Sequence, residues 1–301
     1  MSGVTWYDLD VIDSGVKISF GRVMTPLSEP LTSRAAQWNV ALRDCKETET
    51  SILGYGLRSG RRVVLKISKT AGDEWKSGDV LRAFQGSGTA RVLESVDGAV
   101  LLEQLDPATE LVELVRQGRD EEATAICARV ISQMAHHEPP AGCPTILDWA
   151  RGFDRHLSRS NDLTLPRQLV ESARETYLRL ATSQKQTMLL HGDLHHYNVL
   201  YDSDRGWVAI DPKGVVGELE YELGAIIRNP FELPDFYTSR AVVERRLDQL
   251  TSVLELDYDR ALSWTFAQAV LSVIWGVEDG FTVTPDHPHL RLAEVIINVA
   301  S

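Results

Sequence analysis

Cysteine is scarce in this chain: Cys45, Cys127 and Cys143 are the only three in 301 residues. An odd number at these spacings supports neither a disulfide framework nor a structural zinc site, and points to a reducing, cytoplasmic setting. Positive charge is also in deficit. With 31 Lys and Arg against 43 Asp and Glu the formal net charge is −12, which argues against nucleic acid or an anionic membrane as partner. A cationic small molecule suits such a surface better, although a merely solvated acidic exterior accounts for the same number. Long hydrophobic runs are missing: the longest, near Val270–Val277, is too short to cross a bilayer. The opening MSGVTWYDLD lacks the basic-then-apolar pattern of an export signal. Neither internal repeats nor low-complexity tracts are visible. What remains is an ordinary globular composition, 43% apolar and 25% charged, long enough to bury a sizeable core in one or two domains as a monomer or weak dimer.

The chain changes character near residue 106, from strand patterns to helical ones. This suggests a smaller unit over 1–105 and a larger one over 106–301. Residues 1–27 read as an extended arm or short strands. Ser28 to Trp38 reads as a helix with Ser28 as cap and Pro30 in its first turn. Val40–Cys45, Thr50–Leu57 and Arg62–Ser68 read as strands, the last two joined by a turn at Arg58-Ser59-Gly60-Arg61. Asp73–Phe84 reads as one amphipathic helix. Ala90–Val96 and Ala99–Glu103 form a hairpin around Asp97-Gly98. Beyond Pro107 the periodicity and caps predict helices over Pro107–Gln117, Asp120–His137, Pro144–Ser160 and Pro166–Gln184. After residue 214 come a short helix to Asn229, then helices over Arg240–Leu256, Asp259–Trp275 and His289–Val299.

Chemistry concentrates in residues 187–214, TMLLHGDLHHYNVLYDSDRGWVAIDPKG. Short apolar runs at Thr187–Leu190, Asn198–Tyr201 and Trp207–Ile210 read as strands, two of them separated by a turn over 202–206. Polar residues stand only at the ends: His191, Asp193 and Asn198 on one side, Asp211 on the other. Two carboxylates and an amide brought to one end are hard oxygen ligands, suited to Mg²⁺ and phosphates rather than Zn²⁺. Lys66 lies in the apolar strand RVVLKIS, where burial costs free energy unless the ammonium is paired. Each residue taken alone also fits a solvated loop or an exposed strand face. A zinc hydrolase built on His191, His195, His196 and Asp193 is a competing class, but Gly192 and the flanking strands break the helix such a site needs.

The order His191-Gly192-Asp193 followed by Asn198 matches the H-x-D-x-x-x-x-N loop of protein-kinase-like phosphotransferases. Asp211-Pro212-Lys213-Gly214 stands where those enzymes carry Asp-Phe-Gly. With Gly192 in place of Arg and Ile-Asp-Pro in place of Asp-Phe-Gly, the chain resembles the aminoglycoside phosphotransferases. The fuller string HGDLHHYNVL…GWVAIDPKGVVGELEYELG resembles the streptomycin 6-phosphotransferase branch, which is grouped with hydroxyurea phosphotransferases. The resemblance covers roughly 30–280 and is tightest at 187–224.

The resemblance implies an α+β, protein-kinase-like fold of two lobes: an antiparallel sheet with one long helix, then a mostly helical lobe. It implies ATP with Mg²⁺, GTP remaining open as the nucleotide. Asp193 would act on the acceptor hydroxyl, Asn198 and Asp211 would hold the metal, and Lys66 would fix the phosphates with Glu74 orienting it. Asp79 competes with Glu74 for that role. Val64 and Leu102 would sandwich adenine, and the backbones of Glu103 and Leu105 would bond its edge. The connection Lys46-Glu47-Thr48-Glu49 would cover the phosphates; it has no glycine, so backbone N–H groups and the hydroxyls of Thr48, Thr50 or Ser51 would contact them instead. His191 would brace the loop rather than bind metal. Glu218, Glu278 and Asp279 are the candidate contacts for a cationic acceptor, expected to be O-6 of streptomycin. Alternatives are hydroxyurea, an amino sugar, or a binding protein that keeps the fold without activity.

Overall fold

The computed structural model describes residues 28–159 and 165–299, so the arm expected over 1–27 lies outside the described residues. Helix α1 (Glu29–Gln37) opens the fold, with Pro30 in its first turn. Ser28 occupies the cap position, but its side chain makes no capping bond. Five strands follow: β1 (Ala41–Glu47), β2 (Ser51–Arg58), β3 (Arg61–Ser68), β4 (Val92–Val96) and β5 (Ala99–Glu103). They form one antiparallel sheet in the order β1-β2-β3-β5-β4. Ser59 and Gly60 both take positive φ, as a tight hairpin turn between twisted strands requires.

Alternation along β3 sorts the sheet into two faces. Val63 and Leu65 pack with Leu101 and Ala99 against Leu31, Ala35 and Trp38 of α1. Val64 and Lys66 point the other way. The single helix expected over Asp73–Phe84 is instead a 3₁₀ turn (Asp73–Lys76) leading into α2 (Ser77–Ala83). The two pieces serve different neighbours. Trp75 lies against Gly98, where an added Cβ would come within 2.5 Å of the ring, while Val80 and Phe84 enter the main core of the second lobe.

The next segment corrects another expectation. Pro107–Glu110 is a strand, β6, and only Val112–Arg116 is helical (α3). The strand pairs with residues nearly a hundred positions away, a partnership invisible to local periodicity. Then come α4 (Asp120–Met134), α5 (Ile146–Trp149), α6 (Arg151–Ser158) and α7 (Arg167–Thr182). The helix expected from 144 to 160 is thus two, α5 starting from a Thr145–Asp148 capping box. Strands β7 (Met188–Leu190), β8 (Val199–Asp202), β9 (Gly206–Ala209) and β10 (Val215–Gly217) carry the motif region. They sort into two small sheets, β10-β7 and β6-β8-β9. Helices α8 (Leu219–Ile227), α9 (Pro234–Tyr237), α10 (Arg240–Leu254), α11 (Tyr258–Glu278) and α12 (Pro288–Val299) complete the second lobe. Among the described residues no helix is long and apolar enough to cross a membrane.

The β8–β9 hairpin is stitched to the first lobe along one edge of the cleft. Ala90 N–H donates to Ala209 O (2.9 Å), Ala209 N–H to Gly88 O (2.7 Å) and Ser203 N–H to Asp106 O (2.8 Å). Arg205, in the hairpin turn, donates to Gly86 O at 2.6 Å and pairs with Glu103.

Beneath the motif region Arg246 is completely buried, a placement that demands pairing. Its guanidinium donates to Asp120 (2.6 Å) and to the carbonyls of Asn229 (2.6 Å) and Ile226 (3.1 Å). Burial raises the Asp120 pKa, but the bonds and charge of Arg246, then Arg245, outweigh it and hold the carboxyl below its ordinary value. Removing one partner leaves the other charge stranded. Arg246→Met should therefore lower unfolding stability by about 3–5 kcal/mol in urea denaturation at neutral pH. The stability the pair contributes is present above pH 3.8, the ordinary carboxyl value, and drains away as pH falls toward the depressed folded pKa.

Candidate active site

Strand alternation puts Lys66 on the cleft face, and its side chain is only 5% exposed. An isolated charge there would be costly; two carboxylates compensate it. Glu74 Oε2 lies 2.6 Å from Nζ and Asp211 Oδ1 2.8 Å from it. Burial pulls the Lys66 pKa down, but Asp211 and Glu74 more than offset it, and the net shift is upward. Glu74, not Asp79, makes this pair. Asp79 is exposed and turns to a different cavity. One ammonium therefore joins the sheet, the 3₁₀ turn and the segment after β9.

The loop after β7 is held by backbone geometry. Gly192 has φ +80°, and a Cβ there would come within 2.8 Å of the Trp149 ring, so only glycine fits without displacement. His191 is fully buried, and burial pushes its pKa down to about 4. The neutral ring bonds Ile210 O through Nε2 (2.8 Å), while Nδ1 accepts the Asp193 N–H (3.3 Å). This brace fixes the loop against β9. From below, the buried Glu222 carboxylate accepts the Gly192 N–H at 3.1 Å. Burial drives the Glu222 pKa up to about 7.

Asp193 projects from this loop among cations. Lys213 Nζ is 3.4 Å from Oδ2, His195 Nε2 is 3.8 Å from Oδ2, and Arg228 Nη2 is 3.7 Å from Oδ1. Burial opposes ionisation of Asp193, but His195, Lys213 and Arg228 together hold its pKa well below the carboxylate range. Burial lowers the His195 pKa in turn, so Lys213 and Arg228 carry the positive field at neutral pH.

Asn198 donates Nδ2–H to the Asp193 carbonyl (3.0 Å), which leaves its amide oxygen to serve as acceptor. Its own carbonyl accepts the Ile210 N–H (2.9 Å), so Asn198 and Asp211 stand on adjacent strand ends. Asp211 has φ +56°, which turns its carboxylate from the β9 strand toward Lys66. An amide oxygen and a partly exposed carboxylate fit the donor set of Mg²⁺. Among the described residues no group of three His, Cys, Asp or Glu side chains could hold a metal.

A cavity of about 300 Å³ opens beside Lys66 and Asp211. Val64 and Leu102, register partners on β3 and β5, line one wall, and Leu200 and Ile210 the other. Glu103 and Leu105 border it, and the Leu105 N–H donates to no described residue. In the turn between β1 and β2, Ser51 Oγ lies within hydrogen-bond distance of both Thr48 Oγ1 (3.4 Å) and Thr50 Oγ1 (3.3 Å), closing the turn on itself.

The acceptor candidates divide. Glu278 and Asp279 line a second cavity, about 310 Å³, with Asp148, Trp149, Arg155, Lys213 and Trp275. Glu278 is already held by Arg155 through two bonds, 2.7 and 2.8 Å. Glu218 is a correction. It is 4% exposed and its carboxylate takes Arg260 Nε (2.6 Å) and the Trp264 indole, so it serves the core rather than the cleft. Lys213, Arg228 and Glu222 carry no role in the reading of the sequence. The lysine two residues after Asp211, and the closely spaced acids Glu218, Glu220 and Glu222, are the signals available; Arg228 gives none, because it directly follows an apolar core helix.

Residues 42–280 match the family model described as aminoglycoside/hydroxyurea antibiotic resistance kinase. A streptomycin 3″-kinase of Klebsiella pneumoniae is 32% identical over 72% of this chain and 80% of its own. A streptomycin 6-kinase of Streptomyces griseus is 29% identical over 78% and 77%. A hydroxyurea phosphotransferase of Kitasatospora aureofaciens is 32% identical over 76% and 66%. Among solved structures, a thermostable mutant of aminoglycoside phosphotransferase APH(4)-Ia with ADP and hygromycin B superposes with TM-score 0.64. It is 17% identical, over 90% of this chain and 98% of that one. Choline kinase LicA from Streptococcus pneumoniae gives 0.61 at 12% identity, over 89% and 97%. The two-lobe kinase-like fold is common to them.

The raised Glu222 pKa has a direct consequence. A carboxyl that prefers its neutral form when folded stabilises the protein below pH 4.5, and that contribution is lost as pH rises through about 7. Denaturation midpoints should fall across this interval, and Glu222→Gln should flatten the fall.

Proposed function

Because the chain belongs to the aminoglycoside/hydroxyurea antibiotic resistance kinase family, we propose that it moves the γ-phosphoryl of ATP to a hydroxyl of an aminoglycoside, with O-6 of streptomycin as the acceptor. The observation that carries this reading is the convergence of Lys66, Asp211, Asn198 and Asp193 between a nucleotide-sized apolar cavity and an acid-bearing one.

Adenine would lie between Val64 and Leu102 on one side and Leu200 and Ile210 on the other, its edge meeting the Leu105 N–H and the Glu103 carbonyl. Lys66 would bond the α and β phosphates, held in place by Glu74. Asn198 and Asp211 would hold Mg²⁺, which when bound neutralises charge between the β and γ phosphates. The acceptor oxygen attacks the γ phosphorus in line, the bond to the β-phosphate oxygen breaks, and ADP leaves with that oxygen's electron pair. The hydroxyl proton passes to Asp193 and on to solvent.

The depressed Asp193 pKa makes it a weak base. Its contribution is to orient the hydroxyl and to take the proton late, which suits a loose transition state with little early demand for a nucleophile. Lys213 stands on the acceptor side of Asp193 as Lys66 stands on the nucleotide side. Positive charge therefore flanks the phosphoryl along its path. Asp279 and Asp148, with the Trp149 and Trp275 rings, offer a cationic ring both carboxylates and aromatic faces.

Incubation with ATP, Mg²⁺ and a panel of streptomycin, other aminoglycosides and hydroxyurea, scored by mass gain of one phosphate, tests this reading. Streptomycin should gain the phosphate, and fragmentation should place it on the streptidine ring. A phosphate on the 3″-hydroxyl would move the assignment to the other regiochemistry; no gain on any aminoglycoside would reject the acceptor class. Asp193→Ala should lower kcat by about 10²–10⁴-fold while leaving nucleotide affinity nearly unchanged.

A further inference from the structure

A third cavity, about 340 Å³, lies next to the acid-bearing one and shares two walls with it, Trp149 and Lys213. Its far side comes from the first lobe: Ala71, Trp75 and Val80, from the 3₁₀ turn, α2 and the loop before them. Its near side is the turn carrying Ala141, Cys143 and Pro144. None of the roles assigned above uses this space. Its chemistry differs from that of its neighbour. The acid cavity sets Asp148, Glu278 and Asp279 against Arg155 and Lys213, whereas here Asp79 is the one acid, facing Lys76 and the shared Lys213, and the remaining side chains of the wall are apolar or aromatic. The Cys143 thiol adds no charge, since burial pushes its pKa up to about 11.

The two cavities meet at Lys213, whose Nζ is 3.4 Å from Asp193. A hydroxyl presented to Asp193 therefore belongs to a molecule with room on both sides of it. We infer that the acceptor site has two chambers. The acid chamber takes a cationic ring, and the chamber beside Trp75 takes a weakly charged sugar portion joined to it, so that the first lobe contributes to acceptor binding. This rests on the aminoglycoside reading and sharpens it: the site fits a multi-ring acceptor with charge concentrated at one end. A molecule as small as hydroxyurea reaches only one chamber.

Trp75 is firmly placed for the task. Its backbone carbonyl accepts the Gly98 N–H at 2.8 Å and its ring covers Gly98. It also directly follows Glu74, the partner of Lys66. Truncating Trp75 would therefore disturb the nucleotide side as well, and filling the chamber is the cleaner perturbation. Ala141 is exposed on the rim of the third cavity, so Ala141→Trp adds bulk to the chamber without removing a core contact.

Steady-state kinetics with streptomycin and ATP, and inhibition by streptidine (the guanidinium-bearing ring alone), provide the test. In Ala141→Trp the KM for streptomycin should rise about tenfold or more, as expected when a contact chamber is filled. The KM for ATP, the melting temperature and the inhibition constant of streptidine should stay within twofold. An unchanged streptomycin KM, a parallel rise for ATP or streptidine, or wild-type protein that streptidine fails to inhibit would each overturn the two-chamber site. Failure of wild type to phosphorylate any aminoglycoside would instead reject the underlying acceptor class.

Discussion

A single buried ammonium organises the cleft. Lys66 sits on a strand face where apolar neighbours make an unpaired charge untenable, and among the described residues it is relieved by Glu74 on one side and Asp211 on the other. Those two acids come from opposite walls: one from the 3₁₀ turn that packs on the sheet, the other from the second residue after β9. The sheet, the turn and the motif segment must all be in register for the charge to be compensated. Local folding of the first lobe and placement of the motif segment are thus one electrostatic problem. Val80 reinforces the same union from α2, since a Cβ at Gly214 would collide with its side chain.

The loop that presents Asp193 is built on a similar economy of means. A neutral His191 ring ties it to β9, and the Glu222 carboxylate ties it to α8. The positive φ values at Gly192, Asp211 and Gly214 turn the backbone where side chains must change direction. The result keeps a carboxylate charged inside a cluster of cations, whose fields are then available for the negative charge of a phosphoryl in transit.

The reach of sequence reasoning follows from the range of each interaction. Lys66 was legible because strand alternation is local, and the loop because His191, Asp193 and Asn198 keep a fixed spacing within eight residues. Glu74 was separable from Asp79 only by side-chain length, and its pairing shows once the helix breaks at Ser77. Residues 107–110 read as helix because their β8 partners lie far along the chain. Glu218 reads as an acceptor contact because Arg260 and Trp264, which enclose it, arrive some forty residues later. Of the acceptor side, the tryptophan and acids ending α11 were visible. The third cavity was not, because it exists only where two distant segments face each other.

The stitching between the β8–β9 hairpin and the first lobe has a mechanical consequence. Backbone bonds from residues 88, 90 and 106, with Arg205 reaching Gly86 and Glu103, fasten the molecule along the edge where adenine would rest. The two margins of the cleft are thus joined by different means: backbone bonds hold the edge where adenine would rest, and the side chains of Val80 and Phe84 seat the Trp75 margin in the core of the second lobe.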